Sequence, residues 1–195
     1  MYDRSLPYVH LEMETPLPAN RVRADLPAGY SIRTYEPGDE KYWAAIETTA
    51  GEFSREEDAL KSFRDYYGND RDLLPGRMFF VISPEGVPCA TATAWFNGRF
   101  GHLHWVAVHA EHQGKGLARC VIAGAMDALT ELSYDYACLS TQPSSWVAVK
   151  LYLEFGFRPV LRDSQAVVTG WQQTYAKLGK EWKEELCVPS LVSGK

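Results

Sequence analysis

The sequence has no long apolar run. None approaches the roughly 20 residues that a membrane-spanning helix needs, so no membrane association is expected. It has no excess of positive charge either. Lys and Arg number 20 against 25 Asp and Glu, a formal net charge of -5. That argues against a general nucleic-acid binder, whose phosphate contacts call for a basic stripe, although a small local cationic pocket stays allowed. Cysteine is sparse. Cys89, Cys120, Cys138 and Cys187 are widely spread and form no Cys-x-x-Cys pair. Residues 1–28 contain Asp3, Arg4, Glu12, Glu14, Arg21, Arg23 and Asp25 and no apolar core of a leader. The cysteines therefore read as reduced thiols, and the protein as cytoplasmic. There is no internal repeat.

What is present is the composition of a folded domain. Of 195 residues, 46% are hydrophobic and 13% aromatic, which is enough to build a core and rules out bulk disorder. The length fits one domain with tails. Residues 1–29 hold Pro7, Pro16, Pro18 and Pro27 and show no clean period, so they read as an N-terminal extension. Residues 30–178 read as the domain and 179–195 as a polar C-terminal tail.

Within the domain, Tyr30–Tyr35 alternates and predicts a strand. Asp39 predicts a cap for a helix ending near Gly51. Ser54 and Glu57 have capping-box spacing and predict a second helix through Tyr67. Trp43, Phe53, Phe63, Tyr66 and Tyr67 make this region aromatic. Strand signals follow at 78–82, 89–96 and 100–108, the last two joined at the hairpin dipeptide Asn97-Gly98. Leu117, Val121, Ala125, Ala128, Leu129 and Leu132 recur at helical spacing. A short strand at 136–141 precedes a helix at 146–155, capped by Ser144 or Ser145 and stopped by Gly156. A strand at 157–161 and a helix at 165–178 complete the order.

The most informative stretch is Val106-Ala107-Val108-His109-Ala110-Glu111-His112-Gln113-Gly114-Lys115-Gly116-Leu117-Ala118. A strand enters a short glycine loop, and a helix starts at once. First-turn helix amides have no internal partner and point outward, and the helix dipole adds partial positive charge. Lys115 and Arg119 add cationic character, so the loop suits a phosphate or pyrophosphate. By itself it also fits a plain strand-to-helix turn. A P-loop is disfavoured because the Ser/Thr and its spacing are missing. A Rossmann fingerprint is disfavoured because Arg119 stands at the third glycine position and the preceding strands read antiparallel.

Gln113-x-x-Gly116-x-Ala118 resembles the pyrophosphate loop of the GCN5-related N-acetyltransferases (GNAT), Arg/Gln-x-x-Gly-x-Gly/Ala. Downstream, Leu151-Tyr152-Leu153-Glu154-Phe155-Gly156-Phe157 is similar to the family's second signature. The resemblance is close over 101–160. It implies an α/β (α+β) fold, with a mixed, mostly antiparallel central sheet flanked by helices and splayed central strands. It implies acetyl-CoA as cosubstrate and no metal. The backbone of Val106, Ala107 and Val108 would meet the pantetheine arm and acetyl oxygen. Residues Gln113, Gly114, Lys115, Gly116, Leu117 and Ala118 would hold the pyrophosphate. Ser144 and Ser145 stand where the family often has an Asn that contacts pantetheine. Tyr152 would assist the leaving thiolate.

His102-Leu103-His104 lies on the strand before the loop. Strict alternation puts His102, His104, Val106 and Val108 on one face, where paired imidazoles suit a general base or proton relay. The run His102-x-His104-x-x-Ala107-Val108-His109 resembles the arylalkylamine (serotonin) N-acetyltransferases, where such histidines serve as base. His-x-His also suits zinc, but two further ligands would be needed and no Cys lies nearby in sequence. A base is needed because an alkylamine of pKa about 10 is only about 0.1% neutral at pH 7, a deficit of roughly 4 kcal/mol. The expected function is acetyl transfer to a primary amine of a small molecule, with no nucleic-acid or membrane partner. Two alternatives stay open, a non-catalytic acyl-CoA sensor and an acetyltransferase of protein N-termini or lysines. A homodimer also stays open. If the histidines are structural, Glu47 or Glu52 is the next candidate base.

Overall fold

The computed structural model describes residues 3–191. Its strands are β1 (Leu11–Pro16), β2 (Ser31–Thr34), β3 (Met78–Ile82), β4 (Pro88–Asn97), β5 (Phe100–Val108), β6 (Tyr136–Thr141) and β7 (Arg158–Pro159). Its helices are α1 (Glu40–Ala50), α2 (Glu56–Tyr67), α3 (Leu117–Glu131), α4 (Trp146–Glu154) and α5 (Gln165–Lys177). Hydrogen-bonded neighbours follow the order β2-β3-β4-β5-β6-β1-β7. This is the mixed, mostly antiparallel sheet with helices that the sequence leads one to expect. The chain forms two compact units. One takes the residues up to 22, 96–102 and those from 133 onward, and the other takes 23–95 and 103–132.

In the second of these units, β3 pairs antiparallel with β2 (Ser31 opposite Ile82) and with β4 (Met78 opposite Thr93). β4 is buried from Pro88 to Trp95, which accounts for its Cys, Ala and Thr content and its lack of charge. The stripe predicted for α3 is real. Leu117, Val121, Ala125, Ala128 and Leu129 are buried, and a fully buried Leu or Val contributes roughly 1.5–3 kcal/mol. Leu132 lies just past the helix and is exposed. α3 approaches β3 so closely that a Cβ on Gly124 would sit 2.9 Å from the Phe79 ring.

The predicted side-chain N-caps do not form, whereas the helix stops at Gly51 and Gly156 do, both glycines lying in the left-handed region. Asp39 precedes α1 but makes no side-chain cap bond. Its carboxylate instead accepts from the Glu36 amide at 2.8 Å and from Arg33 at 2.6 and 2.9 Å. α2 starts one residue later than a Ser54–Glu57 box requires, so Arg55 is the N-cap and pairs with Asp58. Ser145 precedes α4 without a side-chain cap bond.

In the other unit, β1 is the middle strand, antiparallel to β6 and to β7. The stretch that reads as an extended arm thus contributes Leu11 and Met13 to the core. Its Leu-Glu-Met-Glu alternation is too short to stand out among prolines. β5 joins β6 in parallel register at Gly101–Ala137 and His102–Cys138. α5 lies over β1, where a Cβ on Gly170 would be 3.2 Å from Leu11. The tail residues that follow α5 are tied in as well. The Val188 amide donates to the Pro159 carbonyl at 2.9 Å, and the Leu191 amide to Glu14 at 3.0 Å. Residues 1, 2 and 192–195 of the expected extension and tail lie outside the described residues. No helix among the described residues is long and apolar enough to cross a membrane.

Candidate functional site

The glycine loop leaves β5 at Val108 and passes through a short turn at Ala110–His112 before α3. Gln113 does not face outward for a ligand. Its Nε2 donates to the Val108 carbonyl at 3.1 Å and ties the loop to the strand end. Gly114 and Gly116 hold φ of 77° and 81°, in the left-handed region that favours glycine. A Cβ added at either would meet no atom within 4 Å, so the loop borders open space. Gly116 is the N-cap of α3, and the first turn of α3 carries no acidic residue. An anion placed there meets outward amides and no acidic side chain from that turn. Lys115 Nζ donates to Tyr30 Oη at 3.0 Å, and the same oxygen is 3.0 Å from His112 Nδ1. Burial, with Lys115 nearby, lowers the His112 pKa, and the Tyr30 bond raises that of Lys115. Tyr30 is a loop partner that no sequence signal marks.

In the same unit, α1, α2 and β5 assemble an aromatic cluster. The Trp43 ring contacts Phe53 (6.1 Å between centroids), Phe63 (5.2 Å), Tyr67 (6.5 Å) and Trp105 (5.2 Å). His104 belongs to this cluster. Its Nδ1 is hydrogen-bonded to Tyr67 Oη at 2.9 Å, and its ring lies 4.2 Å from that of Tyr66. Burial pushes the Tyr67 phenol well above its usual range. Tyr67 reads from sequence as an aromatic helix residue, and only the fold makes it a partner of His104.

The single face drawn through His102, His104, Val106 and Val108 does not run unbroken. Trp105 holds φ 49° within β5, a strained value for a bulky residue. Burial alternates through Gly101 and Leu103, lapses over His104–Val106 and resumes at Ala107. The two histidines also fall in different units, His102 with β6 and His104 with α2. Burial lowers the His102 pKa to about 4.

The remaining predicted residues lie in the unit built on β1. Tyr152 is on the buried side of α4, its ring 6.1 Å from Phe157 at 64°. The Phe157 amide donates to the Tyr152 carbonyl at 3.0 Å, which fixes the turn that follows the helix. Ser144 is buried, and its carbonyl accepts from the Asp3 amide at 2.9 Å. Cys138 is buried on β6, with its thiol pushed up to about 11 by burial, as suits a core residue. Among the described residues no group of three or more His, Cys, Asp or Glu is placed to hold a metal ion.

Comparison with known proteins gives the family. The family model described as Acetyltransferase (GNAT) family matches residues 40–157. A mycothiol acetyltransferase of Thermobispora bispora is 26% identical over 162 residues, which cover 79% of this chain and 54% of the relative. The chain spans about half the length of the curated relatives it matches. Among solved structures, a GCN5-related N-acetyltransferase from Sphaerobacter thermophilus superposes with a TM-score of 0.62 at 20% identity, covering 78% of this chain and 50% of that one. A Pyrococcus horikoshii structure superposes with a TM-score of 0.58 at 19% identity, covering 69% of this chain and 92% of that one. These two show the fold, and the family match over more than half of the chain shows the descent: the chain belongs to the acetyltransferase (GNAT) family.

Proposed function

We propose that the chain is an acetyl-CoA-dependent N-acetyltransferase that acts in the cytoplasm on the primary amine of a small molecule. The observation that carries this reading is the open glycine cradle at the start of α3, with left-handed Gly114 and Gly116 and no acidic residue in the first turn. The cradle fits a pyrophosphate, held by the backbone of Gln113, Gly114, Lys115, Gly116, Leu117 and Ala118. Lys115 and Arg119 supply positive charge. The β5 backbone at Val106, Ala107 and Val108 would pair with the pantetheine arm, with Ser144 and Ser145 as further polar contacts. Acetyl-CoA, when bound, supplies the acyl group already activated as a thioester.

The chain's own residues supply the proton traffic. We assign the base to His104 rather than His102. Burial lowers the His102 pKa to about 4, which makes it about 3 kcal/mol poorer at taking a proton than an ordinary imidazole. His104 is oriented by Tyr67. With Nδ1–H donating to Tyr67 Oη, Nε2 carries the lone pair that accepts the proton. Tyr152 Oη is assigned the hydrogen bond to the leaving sulfur. Phenol and thiol differ by roughly 1.5 pKa units, or about 2 kcal/mol, so full transfer is uphill in water. A bond that strengthens as charge grows still helps. The likeness of the histidine strand to arylalkylamine N-acetyltransferases supports a base at this position. The name mycothiol acetyltransferase borne by relatives supports a small-molecule acceptor.

The test is calorimetric titration with acetyl-CoA, followed by thiol detection across a panel of small amines. Binding together with coenzyme A release is expected. Binding without release from any acceptor would favour a sensor. Release with basic peptides alone would favour a protein acetyltransferase.

A further inference from the structure

Glu47 stands one helical turn after Trp43 on the buried face of α1 and is 1% exposed. Neither of its carboxyl oxygens has a hydrogen-bond partner among the described residues. The indole N–H groups of Trp43 and Trp105 are likewise buried without a partner. Burial raises the Glu47 pKa well above the carboxylate range, and the charge of Glu52 adds to the rise. Tyr67 of α2 feels the Glu47 charge in turn. A carboxyl buried without partners is costly, and a leucine would fill the same helix position without that cost. Such a group points to a ligand that offsets it.

The surroundings narrow the ligand. Trp43 contacts the rings of Trp105, Tyr67 and Phe53, and Phe53 stacks on Trp105 at 5.5 Å and 28°. Aromatic faces attract cations, and a buried carboxylate persists in its charged form only beside an opposite charge. His104 lies against Trp105 in the same cluster, 5.3 Å between rings.

We propose that Glu47, one helical turn from Trp43 and its ring partners Trp105 and Tyr67, recognises the ammonium group of the acceptor, which is a primary alkylamine on an apolar or aromatic body. This rests on the acetyltransfer reading above. On binding, the carboxylic acid and the alkylammonium form an ion pair, and one proton leaves Glu47 for solvent. Glu47 orients the nitrogen, and His104 takes the nitrogen's proton later.

The test uses the full chain saturated with coenzyme A. Its probes are 2-phenylethylamine, an ammonium ion at pH 7, and 2-phenylethanol, of similar shape but neutral. Wild-type protein is expected to bind the amine at least 10-fold more tightly than the alcohol. Calorimetry in two buffers of different ionisation enthalpy is expected to report net proton release on binding the amine. The near-isosteric Glu47→Gln is expected to erase the preference and the proton release while acetyl-CoA affinity stays constant. Equal binding of both probes, binding of neither, or a preference that survives in Glu47→Gln would overturn the inference. If Glu47→Gln does not fold, the wild-type preference and proton release decide by themselves. Loss of acetyl-CoA binding in wild type would instead strike the acetyltransfer reading itself, whereas normal acetyl-CoA binding with indifference to the ammonium strikes this inference alone.

Discussion

The glycine loop and the aromatic cluster belong to the same compact unit but are built in opposite ways. The loop is a continuous stretch, residues 109–118, that offers backbone. Its glycines border open space, and its Gln113 side chain is turned inward to the Val108 carbonyl. The cluster gathers Trp43, Glu47, Tyr67, His104 and Trp105 from three elements and offers side chains, most of them buried. The difference teaches a division of labour. On the proposed reading, backbone amides would hold the invariant part of the cosubstrate, and side chains would meet the part where identity and protonation matter.

That division can be broken most strongly at Tyr152. If chemistry resides in side chains, Tyr152→Phe, which keeps the ring against Phe157, lowers kcat roughly 10- to 1,000-fold, the scale of one lost transition-state donor. Acetyl-CoA affinity and Tm stay constant. A variant that melts early yet turns over normally when folded would leave Tyr152 a core residue only.

The folded pKa of His102 is depressed to about 4, below about 6.5 in the unfolded chain. Below pH 6.5 the unfolded state therefore binds the extra proton first. Stability is intact above pH 6.5 and falls progressively toward pH 4, by about 3 kcal/mol in all. Urea unfolding across this window measures it, and His102→Gln should flatten the slope. His104→Gln should instead lower turnover about 100-fold, within the range of a general base, and flatten the acid limb of the rate profile. A rate that follows His102 and ignores His104 would reverse the assignment.

At the loop the expected effects are smaller. Gly116→Val places its side chain in open space in the free protein but at φ 81°, so it costs stability of about 1–2 kcal/mol. Acetyl-CoA affinity should fall about 10-fold, or about 1.4 kcal/mol. Unchanged affinity by calorimetry would remove the loop from the site. The smallest effect belongs to Lys115→Met, which removes an exposed charge and the bond to Tyr30. Affinity should fall about 3-fold at low salt, and the loss should vanish at high salt, because exposed charges are screened.

The loop, the α3 stripe and the turn at Asn97-Gly98 are legible in the chain alone. Each rests on a few adjacent residues whose φ preferences or spacing act locally. The sequence did not reveal β1, whose four-residue alternation is decided by burial between β6 and β7. Nor did it place the N-caps, since one residue's shift in the start of α2 gives Arg55 and Asp58 the place expected of Ser54 and Glu57. The Tyr67–His104 bond joins residues 37 apart, the strain at Trp105 breaks an alternation that looks intact in the chain, and Glu47 differs from any surface glutamate only by what encloses it. Periodicity and turn chemistry are properties of neighbours in sequence. Desolvation and the pairing of polar groups are properties of neighbours in space, and only the tertiary structure decides them.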